Sequence, residues 1–548
     1  MKKTTTKVLS LLLGTALLLT SCGGGNKDGG NKDGGNKEVK NTGEEARYQI
    51  DANTPAYKLD KKEMTELDWY VNADWWNTEW GKDVVTKKIE EELNVKINFR
   101  VGDNTTLNTM FAGDDMPDLI TIFDSTSDLA REANKWALPI QDLADKYDPY
   151  FYKVASEETL AWLQLNDGKT YGYPDYSNTT ADYESGMLFA TTAFVVRKDV
   201  YEAIGKPDMT TPENFMAALD KIKKQFPELL TLGFTALNAD NVGSLGAPFQ
   251  NLLGVPVVDE NNKFVNRNLD EDYLKWIKVL NNAHTDGFIN DDSFTDSGTN
   301  FEEKIASGQY AAVICAGTPQ VSGFFTTWMH ENPEAMYIAV DGPKSTVGRD
   351  ITLSQSGITG WMQSYITKNC KDPAKAIQLF TYLLSEEGQI LTTYGIEGET
   401  YKINEEDKYE LLPEVSKMRD ENNDRFKKEY RLAEFIFFGH DKYKALSDDA
   451  YPESIKQMQE WGQGKLKPQF IVENITPEPG TPEARNLSNI RAEWATSLVS
   501  MIRAKSDEEF NKIVENFKQT LEDNDFESIE EKLNENIEKN AKKLGEVK

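Results

Sequence analysis

Within six residues the chain sets three indoles, Trp75, Trp76 and Trp80, beside the hydrogen-bonding side chains of Asn72 and Asp74. Such a mixture suits a flat ligand with a polar rim: an indole face covers apolar surface while amide and carboxylate groups fix the rim. Asp124 and Ser125 form a second polar pair further along. The same tryptophans would also serve as anchors that pack a loop inward, and the residue types leave both uses open. Catalytic motifs are scarcer. The three histidines, His284, His330 and His440, stand apart, and His330-Glu331-Asn332-Pro333-Glu334 lacks the second histidine of a zinc-protease helix. The three cysteines, Cys22, Cys315 and Cys370, are too few and too scattered for a disulfide framework or a zinc site. No metal or cofactor is expected. Neither GxSxG nor GxxxxGK occurs. With 91 Asp and Glu residues a carboxylate pair always exists somewhere, so a surface glycosidase stays the competing class.

The elements that must carry these residues follow from periodicity. An apolar run over 67–71 is followed by a helical pattern at Val84, Val85, Ile89 and Leu93, then by strict alternation at Val95, Ile97, Phe99 and Val101. A short helix around Leu107, Met110 and Phe111 and a third strand over 118–123 complete an alternating α/β unit, which predicts a mainly parallel sheet. Ligands of such sheets bind beyond the carboxyl ends of the strands, which is where Asn72, Asp74, Trp75, Trp76 and Asp124 fall. A second series of strands is expected over 188–196, 230–236 and 310–316, with a helix opening at Thr211-Pro212-Glu213. Residues 259–267 read as a turn, because Phe264 stands where a calcium loop needs glycine. Two amphipathic helices close the chain, one through Phe510, Val514, Phe517 and Leu521, the other through Phe526, Ile529, Leu533 and Ile537.

At 548 residues, 39% hydrophobic and 28% charged, the chain is long enough for two large lobes or three smaller units. Its net charge of -30 would repel a polyphosphate backbone, which argues against nucleic acid as a partner. Lys2, Lys3 and Lys7 precede an apolar run over 8–19, too short to cross about 30 Å of hydrocarbon as a helix. This is the pattern of a signal peptide over 1–21. From Gly24 to Glu38 one pentad repeats three times, GGNKD, GGNKD and GGNKE, a composition that cannot bury a core, so a flexible linker is expected over 22–60.

The run Leu19-Thr20-Ser21-Cys22 resembles the lipobox of bacterial lipoproteins, which implies lipidation at Cys22 and membrane attachment through lipid alone. Behind it stand Gly113-Asp114-Asp115-Met116-Pro117-Asp118-Leu119, WALPIQDL at 136–143, DGKTYGYP at 167–174, Val196-Arg197-Lys198-Asp199-Val200 with Gly205-Lys206-Pro207, GQYAAVICAG at 308–317, the segment 360–368 and Gly395-Ile396-Glu397-Gly398-Glu399-Thr400-Tyr401. In this order they resemble the family 1 extracellular solute-binding proteins, the maltose-binding-like lipoproteins of carbohydrate ABC importers, most of all their longer Gram-positive members. The resemblance implies an α/β, two-lobed periplasmic-binding-protein-like (type II) fold with extra C-terminal helices. Lobe 1 would comprise 61–182 and 336–392, and lobe 2 would comprise 183–335 and 393–548. It implies a monomer that captures a carbohydrate, an oligosaccharide by preference, between the lobes and presents it to an ABC permease. Binding of a peptide or organic acid is the alternative solute class. Carried onto this chain, the cleft positions are Asn72, Asp74, Trp75, Trp76, Asp124 and Tyr173, with Asn238, Thr318 and Gln320 opposite, Trp361 and Gln363 before the helix from Asp372, and Glu397 and Tyr401. Maltose-type binders often have an aromatic residue where this chain has Gly317-Thr318-Pro319, which argues against a maltose-like pose. A core position for Trp361 and a turn role for Glu397 are the competing uses of those two residues.

Overall fold

The computed structural model describes residues 46–546, apart from 114, 126, 189, 238–240, 316, 317 and 448–451. The expected signal peptide, Cys22 and the glycine-rich repeats lie outside the described residues.

The first sheet is built from β1 (Thr65–Val71), β2 (Val95–Val101), β3 (Leu119–Ile122), β4 (Gly172–Pro174) and β9 (Gln363–Ile366), in the order β2-β1-β3-β9-β4. β1 pairs in parallel with β2, from Thr65 with Val95 to Val71 with Val101, and with β3, where Trp69 faces Leu119. β9 runs the other way against β3, with Ile122 opposite Gln363. Its N-terminal end therefore lies where β1 and β3 finish, so three loops from distant parts of the sequence meet at one sheet edge. The second sheet has the order β6-β7-β5-β8, from β5 (Ala193–Arg197), β6 (Leu230–Phe234), β7 (Tyr310–Cys315) and β8 (Tyr337–Ala339). A small hairpin, β10 (Tyr401–Ile403) and β11 (Tyr409–Leu411), stands apart from both.

Local chemistry sets the helices. α1 (Val84–Leu93) starts at Asp83, whose carboxylate accepts the Thr86 N–H, and ends at Asn94 in the left-handed region at φ 47°. Val85, Ile89 and Leu93 share its buried face. α2 (Pro212–Gln225) has Thr211 as its cap and proline in the first turn, as expected. α3 (Glu271–Thr285), α4 (Pro373–Leu384) and the C-terminal helices α5 (Pro482–Ile502), α6 (Asp507–Asp523) and α7 (Phe526–Glu546) all contribute buried side chains to the cores. One core joins Leu67, Trp69 and Val71 of β1 to α1 and to Ile377 and Phe380 of α4. Tyr70, Ile120 and Tyr365 cover the opposite face of that sheet. A separate core around the second sheet holds α2, α3 and the three C-terminal helices. Each fully buried large apolar side chain contributes about 1.5–3 kcal/mol, so each sheet has a core of its own. The 259–267 segment is a turn, with the Asp259 carboxylate accepting the N–H groups of Asn261 and Lys263. Among the described residues no helix is long and apolar enough to cross a membrane.

Three boundaries differ from the sequence reading. The linker does not extend to residue 60: Arg47 donates from Nε and Nη2 to the Asp60 carboxylate at 3.0 and 2.6 Å and from Nη1 to Asp372 at 3.0 Å. The buried Lys375 ammonium lies 3.3 Å from the same Asp60, so a charge network fastens this segment to α4. The chain does not leave the second lobe near 336, because β8 pairs with β5, Val195 facing Ala339. Nor does the segment after 393 go straight to the second lobe: Val415, Phe426, Leu432, Phe435, Phe437 and Phe438 complete the core of the first. The contacts with Asp372, the β5–β8 pairing and the late return to the first core join residues more than a hundred positions apart, and local patterning carries no trace of them.

Candidate ligand-binding site

At the shared edge of the first sheet three aromatic side chains converge, one from each loop. Trp75 follows β1, Phe123 is the first residue past β3, and Trp361 lies two residues before β9. The two indoles are nearly parallel, 11° apart with centroids separated by 6.2 Å. Phe123 stands edge-on to both, at 6.0 Å from Trp75 and 5.1 Å from Trp361. Trp75 is 60% exposed and Trp361 48% exposed. Leaving two large indoles in water works against folding, and an aromatic patch kept in contact with solvent marks a binding surface.

Buried groups behind the patch hold it in place. The Asp175 carboxylate accepts the N–H groups of Trp361 and Met362 at 3.3 and 2.8 Å. Its second oxygen has no partner, and burial pushes this carboxyl up to about 7. Gly360, at φ +69°, lies so close to the Asp175 carbonyl that a Cβ would sit 2.1 Å from its oxygen, so no other residue fits without moving the strap. Glu473, from the C-terminal region, accepts the N–H groups of Ile358 and Thr359 and the Thr359 hydroxyl, the last at 2.6 Å. Burial raises its carboxyl as well. Asn474 beside it donates to Ser125 Oγ and to Thr359 Oγ1, both at 3.3 Å. The strap 356–361 also runs alongside the 175–183 segment, with the Asn178 N–H on the Gly357 carbonyl at 3.0 Å.

Polar groups flank the indoles. The half-buried Asn72 donates to Asn104 at 2.6 Å and accepts from the Tyr70 hydroxyl at 3.2 Å, while Asp74 and Asp124 are exposed. The edge thus joins an apolar plate to amides and carboxylates that bind hydroxyl groups.

Other expected contacts lie elsewhere. Trp76 is 5% exposed and points into the core, with its centroid 4.6 Å from Phe437 and 6.2 Å from Phe435. Arg431 explains the turn: its guanidinium packs over Trp76 and Phe435 and donates to the carbonyls of Glu79 and Asn77 at 2.6 and 2.5 Å. With the loop gripped there, consecutive indoles face opposite ways. Trp80 follows Trp76 inward, donating to Glu90 at 2.7 Å. Tyr173 is buried against Phe151 and Phe438, and its hydroxyl accepts the Ser156 N–H. Tyr401 is buried among Tyr394 and Tyr409. Glu397 is exposed on the turn preceding Tyr401, and no described contact joins it to the aromatic plate. Gln363 is 6% exposed and lines a cavity beside the plate. Asn238 lies outside the described residues. Thr318 and Gln320 belong to the helix Thr318–Glu331, which follows β7, but their side chains are not described. Phe123, Asp175, Glu473 and Asn474 escaped sequence reading. Phe123 had a signal, since the strand expected over 118–123 needed only to end one residue sooner.

Among the described residues no group of three or more His, Cys, Asp or Glu is placed to hold a metal ion.

Residues 73–390 match the sequence profile of the bacterial extracellular solute-binding proteins. The match spans more than half of the chain and includes all three loops of the aromatic edge, and the protein belongs to this family. Solved structures share the fold. An extracellular solute-binding protein from Bifidobacterium longum subsp. infantis superposes with a TM-score of 0.65 at 14% identity, covering 87% of this chain and 98% of its own. The substrate-binding protein FusA of S. pneumoniae, in complex with kestose, gives 0.62 at 15% identity over 87% and 100%. The N-glycan transport protein NgtS of Streptococcus pneumoniae gives 0.58 at 14% identity over 88% and 99%. No curated protein sequence matches the chain.

Proposed function

We propose that this protein is a carbohydrate receptor of an ABC importer, binding sugar at the Trp75, Phe123 and Trp361 edge. The carrying observation is the pair of exposed, nearly parallel indoles. A pyranose has one face of C–H groups and a rim of hydroxyls; an indole matches the face, and Asn72, Asp74 and Asp124 supply partners for the rim. A hydroxyl of the wrong epimer leaves an acceptor that the bound sugar has covered unmet, at about 1–3 kcal/mol, which gives selectivity. The similar structures are consistent with this reading, FusA being in complex with kestose and NgtS an N-glycan transport protein. In this reading the second lobe contributes Asn238, Thr318 and Gln320 to ligand contact, and Asp124 serves the sugar on the plate. Ligand touching both lobes favours the closed form, which a membrane permease then recognises. Cys22 would carry the lipid that keeps the receptor on the extracytoplasmic face of the membrane, tethered by the GGNKD repeats. The protein would act as a monomer that binds sugar without hydrolysing it.

The test is a thermal-shift screen of the full-length protein against mono- and oligosaccharides, amino acids, peptides and organic acids. A ligand at 100 times its dissociation constant adds about 2.7 kcal/mol to the folded state, so a true binder raises the melting temperature visibly. Shifts confined to sugars and lost in Trp361→Ala are expected. A shift with peptides or organic acids alone would reject the substrate class.

A further inference from the structure

Beside the aromatic plate lies a cavity of about 420 Å³, within the range of small-ligand pockets. One wall belongs to the first sheet, through Gly172 of β4 and Gln363 and Tyr365 of β9; the other is α7, through Asn536 and Asn540. Lys543 of the same helix donates to the Trp162 carbonyl at 2.6 Å and ties α7 to this lobe.

The lining is rich in amides, Gln164, Asn166, Gln363, Asn474, Asn536 and Asn540, and also holds Glu473, Arg131, Lys539 and Lys543, of which Lys539 donates to Asn536 and Lys543 to the Trp162 carbonyl. Amides donate and accept, as sugar hydroxyls do, whereas an anion needs donors only. Trp162, Tyr171 and Tyr365 add aromatic surface. Gln363 carries the second observation. It is 6% exposed, its Oε1 accepts the Tyr365 hydroxyl at 2.6 Å, and its Nε2 has no partner in the protein. Whichever way the amide is turned, one polar atom of a buried side chain is left for something in the cavity.

Plate and cavity are carried by the same two chain segments. Trp361 is in the plate and Gln363, two residues on, lines the cavity; Phe123 is in the plate and Ser125, two residues on, lines the cavity. Two residues of extended backbone cover about 7 Å, so the two surfaces are neighbours.

We propose that this cavity is a second subsite, taking a neutral hexose ring of an oligosaccharide whose adjoining ring lies on the aromatic plate. The inference rests on the carbohydrate reading above and deepens it: the receptor selects oligosaccharides over their component monosaccharides, and α7 forms one wall of the selecting subsite.

The test is calorimetric titration of the full-length protein with kestose, maltotriose, cellotriose, mannotriose and a uronate trisaccharide, each beside its monosaccharides. A neutral trisaccharide is expected to bind at least tenfold more tightly than its monosaccharides. Ala161→Trp, which fills the cavity from the helix Glu157–Trp162, and Gln363→Met, which removes the amide, should each abolish that gain and leave the monosaccharide affinity unchanged. If Ala161→Trp fails to fold, Gln363→Met decides alone. Equal affinity for trisaccharide and monosaccharide, full affinity in the cavity variants, or binding of the uronate alone would overturn the subsite. In those cases loss of sugar binding in Trp361→Ala would leave the plate standing. No sugar binding by the folded wild-type protein would overturn both.

Discussion

Trp75 and Trp76 are neighbours in sequence and have opposite surroundings. Trp76 sits among Phe99, Phe435 and Phe437 beneath the Arg431 guanidinium, where every ring face meets protein. Trp75 has the rings of Trp76, Phe123 and Trp361 as its aromatic neighbours among the described residues and is mostly exposed to water. Both clusters are aromatic and both depend on a buried polar anchor. Arg431 holds the loop carbonyls under the first, and Asp175 holds the strap behind the second. The difference lies in which surface is left incomplete. The inner cluster is closed by the 431–438 segment, whereas the outer one keeps an open face among the described residues. An aromatic side chain thus reports function through the packing it lacks.

Substitutions can break this comparison at either cluster. Trp76→Ala and Arg431→Met should each cost about 3–5 kcal/mol of folding stability, the first by opening a cavity and the second by leaving the Asp83 carboxylate and the Asn77 and Glu79 carbonyls without their partner. Denaturant unfolding measures the loss. At the outer cluster Trp361→Ala should cost about 2 kcal/mol or more of sugar affinity, on the order of 30-fold in Kd, because it removes one of the two exposed indoles.

Asp175 connects the plate to pH. Its carboxyl titrates at about 7 in the folded protein against an ordinary 3.8, so the folded state holds a proton that the unfolded chain has lost. The stability due to that proton is complete below 3.8 and is lost as pH rises through 7. Asp175→Asn keeps the acceptor for the Trp361 and Met362 N–H groups and removes the titration. The melting temperature of the variant relative to wild type should therefore climb from pH 4 to pH 8, by at most about 1.4 kcal/mol of stability per pH unit. Thermal denaturation of both proteins across that range checks the sign. The smallest effect is expected from Trp75→Ala on folding, about 1 kcal/mol or less, since only its ring contacts are lost.

Much of the first lobe was readable in the sequence because its strands alternate and its first helix carries both caps. Trp75 and Trp361 were readable by type, and Asp124 by its place after a strand. The direction of Trp76 was not, since it is set by Arg431, more than 350 residues later. Tyr173 and Gln363 illustrate a second limit. Tyr173 is paired with Ser364, so its ring shares that residue's face of the sheet, while Gln363, one position earlier, projects from the other. Register decides this, and register was invisible without knowing that β9 inserts between β3 and β4. The late return of 393–446 to the first lobe was hidden for the same reason. Glu473 and Asn474 lie beyond the segments that carry the family resemblance, and nothing local marks them as supports of the binding edge.

The most direct test is a titration of one sugar against three full-length proteins, wild type, Trp361→Ala and Trp76→Ala, under conditions where all are folded. The account predicts that Trp361→Ala loses about 30-fold or more in affinity with little change in stability, while Trp76→Ala binds nearly as wild type and unfolds much more easily. Wild-type affinity in Trp361→Ala would contradict it, because the exposed plate would then have no part in binding.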